Sequence, residues 1–352
     1  MPNIGYNHRG IEKLCEQNLF VKNLYICSRV CGICNIIHST AYTLVVEQIQ
    51  KNDPPPRAKY LRVVANELER IHSHMIILAI MAEVLGFDSL FMLMMRDREQ
   101  VMRMKEMLTG NRVLGDYLIF GGVKRDVDEE KKNRILKTLD FIEERMKYYK
   151  KVFTEDPTIR KRLVDVGPIT KTEAMKHCLV GPTARGSGVK TDVRKEDPYD
   201  AYDEVPFNLI TYDECDSWAR MMVRIDEVFE SINMVRYCLT HLPDGPYGPK
   251  VLKRALPKGE GISRVEAPRG ELIYHMISEG KRIPYRVKIR TPSMTNIING
   301  LVAFKNAVLA DVPAIITSFD PCIACMERVE VIDIRNSKVW YPTLRQLAGG
   351  KR

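Results

Sequence analysis

One run of residues constrains the fold more than any other. From Arg57 to Leu85 the apolar residues Leu61, Val64, Leu68, Ile71, Met75, Leu78, Ala82 and Leu85 recur at steps of three or four. That spacing lines one face of a long helix. The run starts just after Pro54-Pro55-Pro56 and stops at Gly86, a residue suited to the position beyond a helix C-terminus. Helical patterns also cover Asn35 to Gln50, Ser89 to Thr109, Asp126 to Val152 and Tyr212 to Leu242. Gly181 to Phe207 is rich in Gly, Pro, Asp and Tyr and reads as a long ordered loop. From Ser263 to Thr291 the pattern turns short and β-like, as in Tyr285-Arg286-Val287-Lys288-Ile289, and Thr295 to Leu309 returns to helix. Val329 to Asp333 is a strand candidate. The predicted class is mainly α, with a small β element near the C-terminus.

Composition excludes several classes. Hydrophobic residues make up 45% and charged residues 28%, which rules out a disordered, collagen-like or low-complexity chain. Lys+Arg of 54 against Asp+Glu of 45 leaves a net charge of +9. This excess suits an acidic partner subunit or an anionic membrane surface, the plainer alternative being a solvated basic surface. No segment reads as a membrane span. The most apolar stretch, Met75 to Met95, is broken by Glu83, Gly86 and Asp88 and reads as helix, turn, helix. No signal peptide opens the chain, so the nine cysteines point to a reducing compartment. Cys15, Cys27, Cys178, Cys215 and Cys238 are scattered and read as small buried hydrophobes.

The other four cysteines form two pairs, Cys31/Cys34 and Cys322/Cys325. A Cys-x-x-Cys turn aims two sulfurs the same way, so each pair can reach one metal. Gly32 is expected to relax the first turn. At the second, Asp320 is expected to cap a short helix with Pro321 in its first turn. Each pair would then sit at a helix N-terminus, where the dipole favours thiolate. Nearly the whole chain lies between the pairs, unlike the close spacing of zinc knuckles or iron–sulfur motifs. Zinc, another soft metal and unrelated cysteines all stay open on spacing alone.

The flanking residues are more specific. Arg29-Val30-Cys31-Gly32-Ile33-Cys34, with His38 four residues on, and Asp320-Pro321-Cys322-Ile323-Ala324-Cys325 resemble the two signature motifs of the NiFe hydrogenase large subunit. Ile4-Gly5-Tyr6-Asn7-His8-Arg9-Gly10-Ile11-Glu12-Lys13 resembles the segment before the first motif. Glu67-Leu68-Glu69-Arg70-Ile71-His72-Ser73-His74 is similar to the core helix shared with respiratory complex I. Gly181 to Gly188 resembles a loop common to both, and it lacks the Gly-Lys-Ser/Thr ending of a phosphate-binding loop. Glu266-Ala267-Pro268-Arg269-Gly270-Glu271 and Ile289-Arg290-Thr291-Pro292-Ser293 match the region before the second motif. The resemblance runs over nearly the whole chain and is closest to the energy-converting, membrane-associated hydrogenases of the Ech, Eha and Ehb kind.

The resemblance implies a single domain over residues 1–352 with a hydrogenase-large-subunit-like helical core. It implies a Ni-Fe centre with CO and cyanide on the iron, Cys31 and Cys322 on nickel alone, and Cys34 and Cys325 bridging the two metals. His38 is expected to donate a hydrogen bond to the Cys34 sulfur. Arg269 is expected over the open site as a polarising group, paired with Asp320. Glu12, Glu67 and Glu69 are candidate proton-path carboxylates, the alternative being salt-bridged helix residues. His72 and His74 line a pocket facing the small subunit in relatives of this kind, or are structural. The family's β-rich N-terminal stretch is expected to be missing, with the glutamate that takes the proton from a bridging cysteine. Met326-Glu327-Arg328 stands where many relatives carry a magnesium-binding histidine, which argues against magnesium. In many relatives a maturation protease cuts near the position of Arg328, so 329–352 is expected to be a removable tail, permanent structure being the competing reading. Implied partners are a small subunit carrying iron–sulfur clusters, membrane subunits of a complex-I-like assembly and, indirectly, ferredoxin; nucleic acid is not among them. The implied location is peripheral, on the cytoplasmic side of the membrane. A complex-I-like subunit without nickel and a zinc-stapled structural subunit are the alternatives.

Overall fold

The computed structural model describes residues 10–249, 255–325, 331–333 and 338–340. Residues 4–9 of the first matched segment, Met326-Glu327-Arg328, and Val329-Glu330 of the strand candidate lie outside the described residues. The helices are α1 Ile11–Cys15, α2 Phe20–Cys27, α3 Asn35–Gln50, α4 Pro56–Val84, α5 Asp88–Thr109, α6 Glu129–Glu155, α7 Pro157–Leu163, α8 Lys171–Lys176, α9 Gly181–Arg185, α10 Val193–Glu196, α11 Ser217–Thr240, α12 Pro292–Asn296, α13 Gly300–Ala303 and α14 Val312–Phe319. β1 Leu118–Ile119 and β2 Gly122–Val123 form a minimal hairpin. β3 Lys258–Ala267, β4 Gly270–Glu279 and β5 Arg286–Arg290 form an antiparallel sheet in that order. β6 Val331–Asp333 and β7 Lys338–Trp340 pair with each other. The described residues are mainly α, as expected.

The long helix is α4. Pro56 occupies its first turn, where a missing N–H costs nothing. Gly86 takes a left-handed conformation (φ 87°), and Phe87 N–H returns to the Ala82 carbonyl at 2.8 Å, closing the C-terminus. α4 packs against α5, α11 and α14, and α6 closes the bundle against α5 and α11. The apolar stripe is only part of what α4 buries. Arg62, Asn66, Glu67, Glu69, Arg70, His72, Ser73 and His74 are buried as well, so a second, polar stripe also faces inward. α3 lies on β3 and β4.

Three expectations need correction. Thr295 to Leu309 is not one helix: a 3-10 turn at Ile297–Asn299 interrupts it and Asn306 takes a left-handed φ of 63°. Asn299-Gly300 in the middle of the run is weak helix material. The loop from Gly181 to Phe207 contains α9 and α10. Not all the scattered cysteines are buried: Cys15, Cys27 and Cys238 are, but Cys178 is exposed and Cys215 half-buried.

The β-like stretch is longer and more regular than its sequence pattern suggests. β3 and β4 are ten residues each, and Ala267 pairs with Gly270, so Pro268 and Arg269 form the tip of a tight hairpin. That tip is wedged against the start of α9. A Cβ on Gly181 (φ 67°) would lie 2.3 Å from the Gly270 Cα. The two glycines let one backbone cross the other, and the crossing drives Arg269 into the interior.

Candidate metal centre

The two ends of the chain meet at their cysteines. The sulfurs of Cys31, Cys322 and Cys325 lie within 4.8 Å of one another. Cys31 Sγ is 3.3 Å from Cys322 Sγ and accepts the Cys34 N–H at 3.3 Å. All four motif cysteines are free thiols, and all but the half-buried Cys322 are buried. Cys34 stands slightly apart from the other three: its sulfur accepts from Arg269 Nη1 at 2.9 Å.

The first pair is held by residues on either side of it. Asn35 Nδ2 donates to the Gly32 carbonyl at 3.1 Å and to the Val113 carbonyl at 2.6 Å, while its Oδ1 accepts from Gly115 N–H at 2.8 Å. The Cys31–Cys34 turn is thereby pinned to the loop after α5. α3 begins directly after Cys34, and its first free N–H groups are met by a carboxylate from another helix. Glu69 Oε1 accepts from Ile36 N–H at 3.0 Å and Oε2 from Ile37 N–H at 2.9 Å. Lys105 Nζ lies 3.4 Å from the same carboxylate. Glu69 thus caps α3 from α4. Gly32 has an ordinary φ and open space where a Cβ would go, so the turn does not require it.

The second pair is built differently from expectation. Asp320 does not start a helix. It ends α14 with a left-handed φ of 53°, and Ile323–Cys325 is a single 3-10 turn. Cys322 N–H donates to Ser293 Oγ at 3.0 Å, and Thr291 Oγ1 donates to the Cys325 carbonyl at 2.8 Å. Both anchors come from the Thr291-Pro292-Ser293 stretch. The expected pairing of Arg269 with Asp320 is present. Arg269 Nη2 donates to Asp320 Oδ1 at 2.7 Å, Nε to the Asp320 carbonyl at 2.9 Å, and Nη1 also to Ser73 Oγ at 3.2 Å.

His38 serves a different cysteine from the one expected. Its Nε2 lies 4.0 Å from Cys325 Sγ, and its Nδ1 hydrogen-bonds the Tyr274 hydroxyl at 2.8 Å. Burial lowers its pKa to about 4. Glu12 is placed on α1 against β5, accepting from Ile289 N–H at 2.9 Å with Arg286 at 3.3 Å and Lys288 at 3.5 Å. Glu67 is fully buried among Arg70, Arg194, Tyr202 and Ser231. Burial opposes its charge, but the two arginines outweigh that and hold its pKa below the usual range. His74 Nε2 contacts Glu227 at 2.9 Å, and burial lowers its pKa to about 4. His72 contacts Arg98 and is kept neutral by burial and by the charges of Lys105 and Arg98.

The four thiols do not share charge equally. Contacts with Cys322, Cys325 and Cys34 pull the Cys31 pKa well below its ordinary value, and the Arg269 charge adds to this. The same contact with Cys31 pushes Cys322 up to about 12 and raises Cys325 and Cys34, with burial adding in each case. The helix-dipole expectation is therefore corrected for Cys34: Glu69 already occupies that helix end, and its charge raises Cys34 further. The arrangement gathers four sulfurs beneath one buried guanidinium. Such a donor set fits a soft metal ion. Among the described residues this is the one group of three or more Cys, His, Asp or Glu side chains with metal-binding spacing.

Comparison with known proteins shows the family. The family "Respiratory-chain NADH dehydrogenase, 49 Kd subunit" matches residues 85–257 and 250–328, and "Nickel-dependent hydrogenase" matches residues 9–82. The chain is 39% identical to the carbon monoxide-induced hydrogenase of Rhodospirillum rubrum, over 92% of this chain and 90% of that one. It is 36% identical to the alpha subunit of the membrane-bound hydrogenase of Pyrococcus furiosus, over 94% and 81%. It is 35% identical to a subunit of the F(420)H(2) dehydrogenase of Methanosarcina mazei, over 92% and 89%. The chain belongs to the family that joins nickel-dependent hydrogenases to the 49 kDa subunit of respiratory-chain NADH dehydrogenase.

Proposed function

We propose that the chain is the catalytic large subunit of an energy-converting NiFe hydrogenase, with the family's large-subunit fold as a single unit. The observation that carries this reading is the convergence of Cys31, Cys34, Cys322 and Cys325 beneath Arg269. When bound there, a Ni-Fe centre with CO and cyanide on the iron supplies the redox chemistry of H2 ⇌ 2H⁺ + 2e⁻. The four cysteines would hold it. Arg269 is a poor base, so its task is to hold positive charge over the centre and steer a proton at Cys34 Sγ. Burial disfavours that charge, but Asp320, Cys34 and Cys31 outweigh it and keep the guanidinium protonated. His38 borders Cys325 as a neutral imidazole and shields that sulfur from solvent. Glu12, set against β5, is a candidate for longer-range proton movement rather than a group at the centre.

Electrons leave through an iron–sulfur small subunit, and ferredoxin is the more distant partner. No described helix is long and apolar enough to cross a membrane. Attachment, on the cytoplasmic face in this reading, comes from membrane subunits; the name of the Pyrococcus furiosus relative, a membrane-bound hydrogenase subunit, supports the membrane association. A second reading, a quinone-linked subunit without nickel, is favoured by the similarity to an NADH-quinone oxidoreductase subunit of Rhizobium etli (34% identity over 93% of this chain and 88% of that one). Metal analysis of the purified complex separates the two. One nickel and one iron per chain, with infrared bands of CO and cyanide, are expected, and all are lost on Cys31→Ala or Cys322→Ala. Absence of nickel supports the second reading. Stoichiometric zinc, with hydrogen turnover surviving either change, overturns the first.

A further inference from the structure

Asp320 is gripped on one side only. Its Oδ1 and its carbonyl are taken by Arg269. Its Oδ2 is buried and has no hydrogen-bond partner. Facing it from α11 is Arg224, fully buried, whose Nε lies 4.0 Å from that oxygen. Arg224 Nε and Nη2 are also without partners. Nη1 is fixed to the Arg220 carbonyl at 2.7 Å, and Arg220 is itself tied to Ser318 Oγ at 2.9 Å and the Gly167 carbonyl at 2.8 Å. One edge of the Arg224 guanidinium is thereby held by the backbone of its own helix.

A direct hydrogen bond is too short to close this gap. Two bonds of ~2.8 Å meeting at roughly a right angle span it. Buried donors and acceptors of this kind are normally satisfied, by ordered water where protein cannot reach. We infer that a single buried water molecule binds between Asp320 Oδ2 and the Nε edge of Arg224, making Arg224 a positioning residue for the centre. Arg224 reaches Arg269 through Asp320. The water relays the hold of α11 onto the carboxylate, the carboxylate fixes the guanidinium plane, and that plane decides where Nη1 points. The role of Arg224 toward a metal rests on the proposed function; the water does not.

Two measurements test the inference. The first is a structure of the purified complex at a resolution that reveals single waters, determined with and without metal. One water within hydrogen-bond reach of both Asp320 Oδ2 and Arg224 Nε is expected in each. A direct Arg224–Asp320 bond, or a dry gap, overturns it. The second compares Arg224→Met with Arg224→Lys. Both are expected to keep nickel. In Arg224→Met the CO and cyanide bands should shift and turnover fall roughly tenfold, about 1.4 kcal/mol of barrier, with partial recovery in Arg224→Lys. Unshifted bands with unchanged turnover in Arg224→Met overturn the positioning role. If Arg224→Met does not fold, Arg224→Lys carries the comparison: bands identical to the parent and full turnover are inconsistent with a planar fork being required. A chain without nickel defeats the proposed function while leaving the water to be judged from the metal-free map.

Discussion

Arg269 holds Cys34 by its sulfur, with Nη1 2.9 Å from Sγ. The guanidinium that would face a metal is thus already bound to one of that metal's own ligands. Substituting Arg269→Lys keeps one charge and loses the planar fork that reaches Asp320 and Cys34 together. Metal is expected to stay bound while hydrogen turnover falls at least tenfold, about 1.4 kcal/mol of barrier. Turnover equal to the parent would remove Arg269 from the site.

Glu69 gives a prediction about stability. Glu69→Ala uncaps α3 just behind Cys34 and strands the buried Lys105. A loss of about 3 kcal/mol is expected from breaking a buried pair of this kind, together with weaker metal retention. Glu69→Gln keeps an acceptor for one N–H and should lose less. Denaturant unfolding of the three proteins ranks them, and equal stability of parent and Ala variant would contradict the cap.

Gly181, where the start of α9 crosses the hairpin, and Gly32, in the first cysteine turn, should behave oppositely. Gly181→Ala places a methyl group against the Gly270 backbone and forces a left-handed φ on alanine. A cost of about 2 kcal/mol or more is expected. Gly32→Ala meets open space at an ordinary φ and should change stability by less than ~0.5 kcal/mol. The reverse order in thermal melts would refute this account of both turns.

How much of this is legible in the sequence depends on the range of the interaction. The ends of α3, α4 and α5 are readable because apolar spacing, the proline run and Gly86 act within one or two turns. The four cysteines are readable because their flanks carry a motif, and Arg269 and Asp320 come with it. Glu69 is ambiguous: a glutamate on a helix reads the same whether it meets water or caps a distant helix. Spacing along the chain assigns His38 to Cys34, whereas the fold turns its ring toward Cys325, which only the return of the C-terminal end can reveal. Arg224 is invisible at that level, since a lone arginine in an amphipathic helix carries no local mark of burial.

His74 provides a pH test. Its pKa in the folded chain is about 4, against an ordinary value of about 6.5, because burial disfavours the imidazolium. Above pH ~6.5 the group is neutral in both states and contributes no pH dependence. Between pH ~6.5 and ~4 the unfolded chain takes up a proton that the folded chain does not, so stability falls as pH falls, by up to about 3 kcal/mol. His74→Gln should flatten the slope in this window by the equivalent of about one proton. Identical pH slopes in parent and variant would rule His74 out as the source.

The tail offers a test by mass. We propose that 329–352 is removed after metal insertion, so a nickel-loaded chain should end at Arg328. The hairpin of β6 and β7 lies in this segment and pairs with itself, and short hairpins are marginal alone. An intact C-terminal Arg352 on nickel-loaded protein would show the tail to be permanent.

The meeting of Cys31 with Cys322 also sets a rule of timing. One sulfur is made early in synthesis and its neighbour only after the helical bundle between them has been translated. No growing chain can hold the complete donor set until Cys325 has left the ribosome. A metal held by all four cysteines would therefore load late rather than early in synthesis. A loaded centre would in turn certify that both pairs have been made, since a truncated product lacking the second pair cannot counterfeit it.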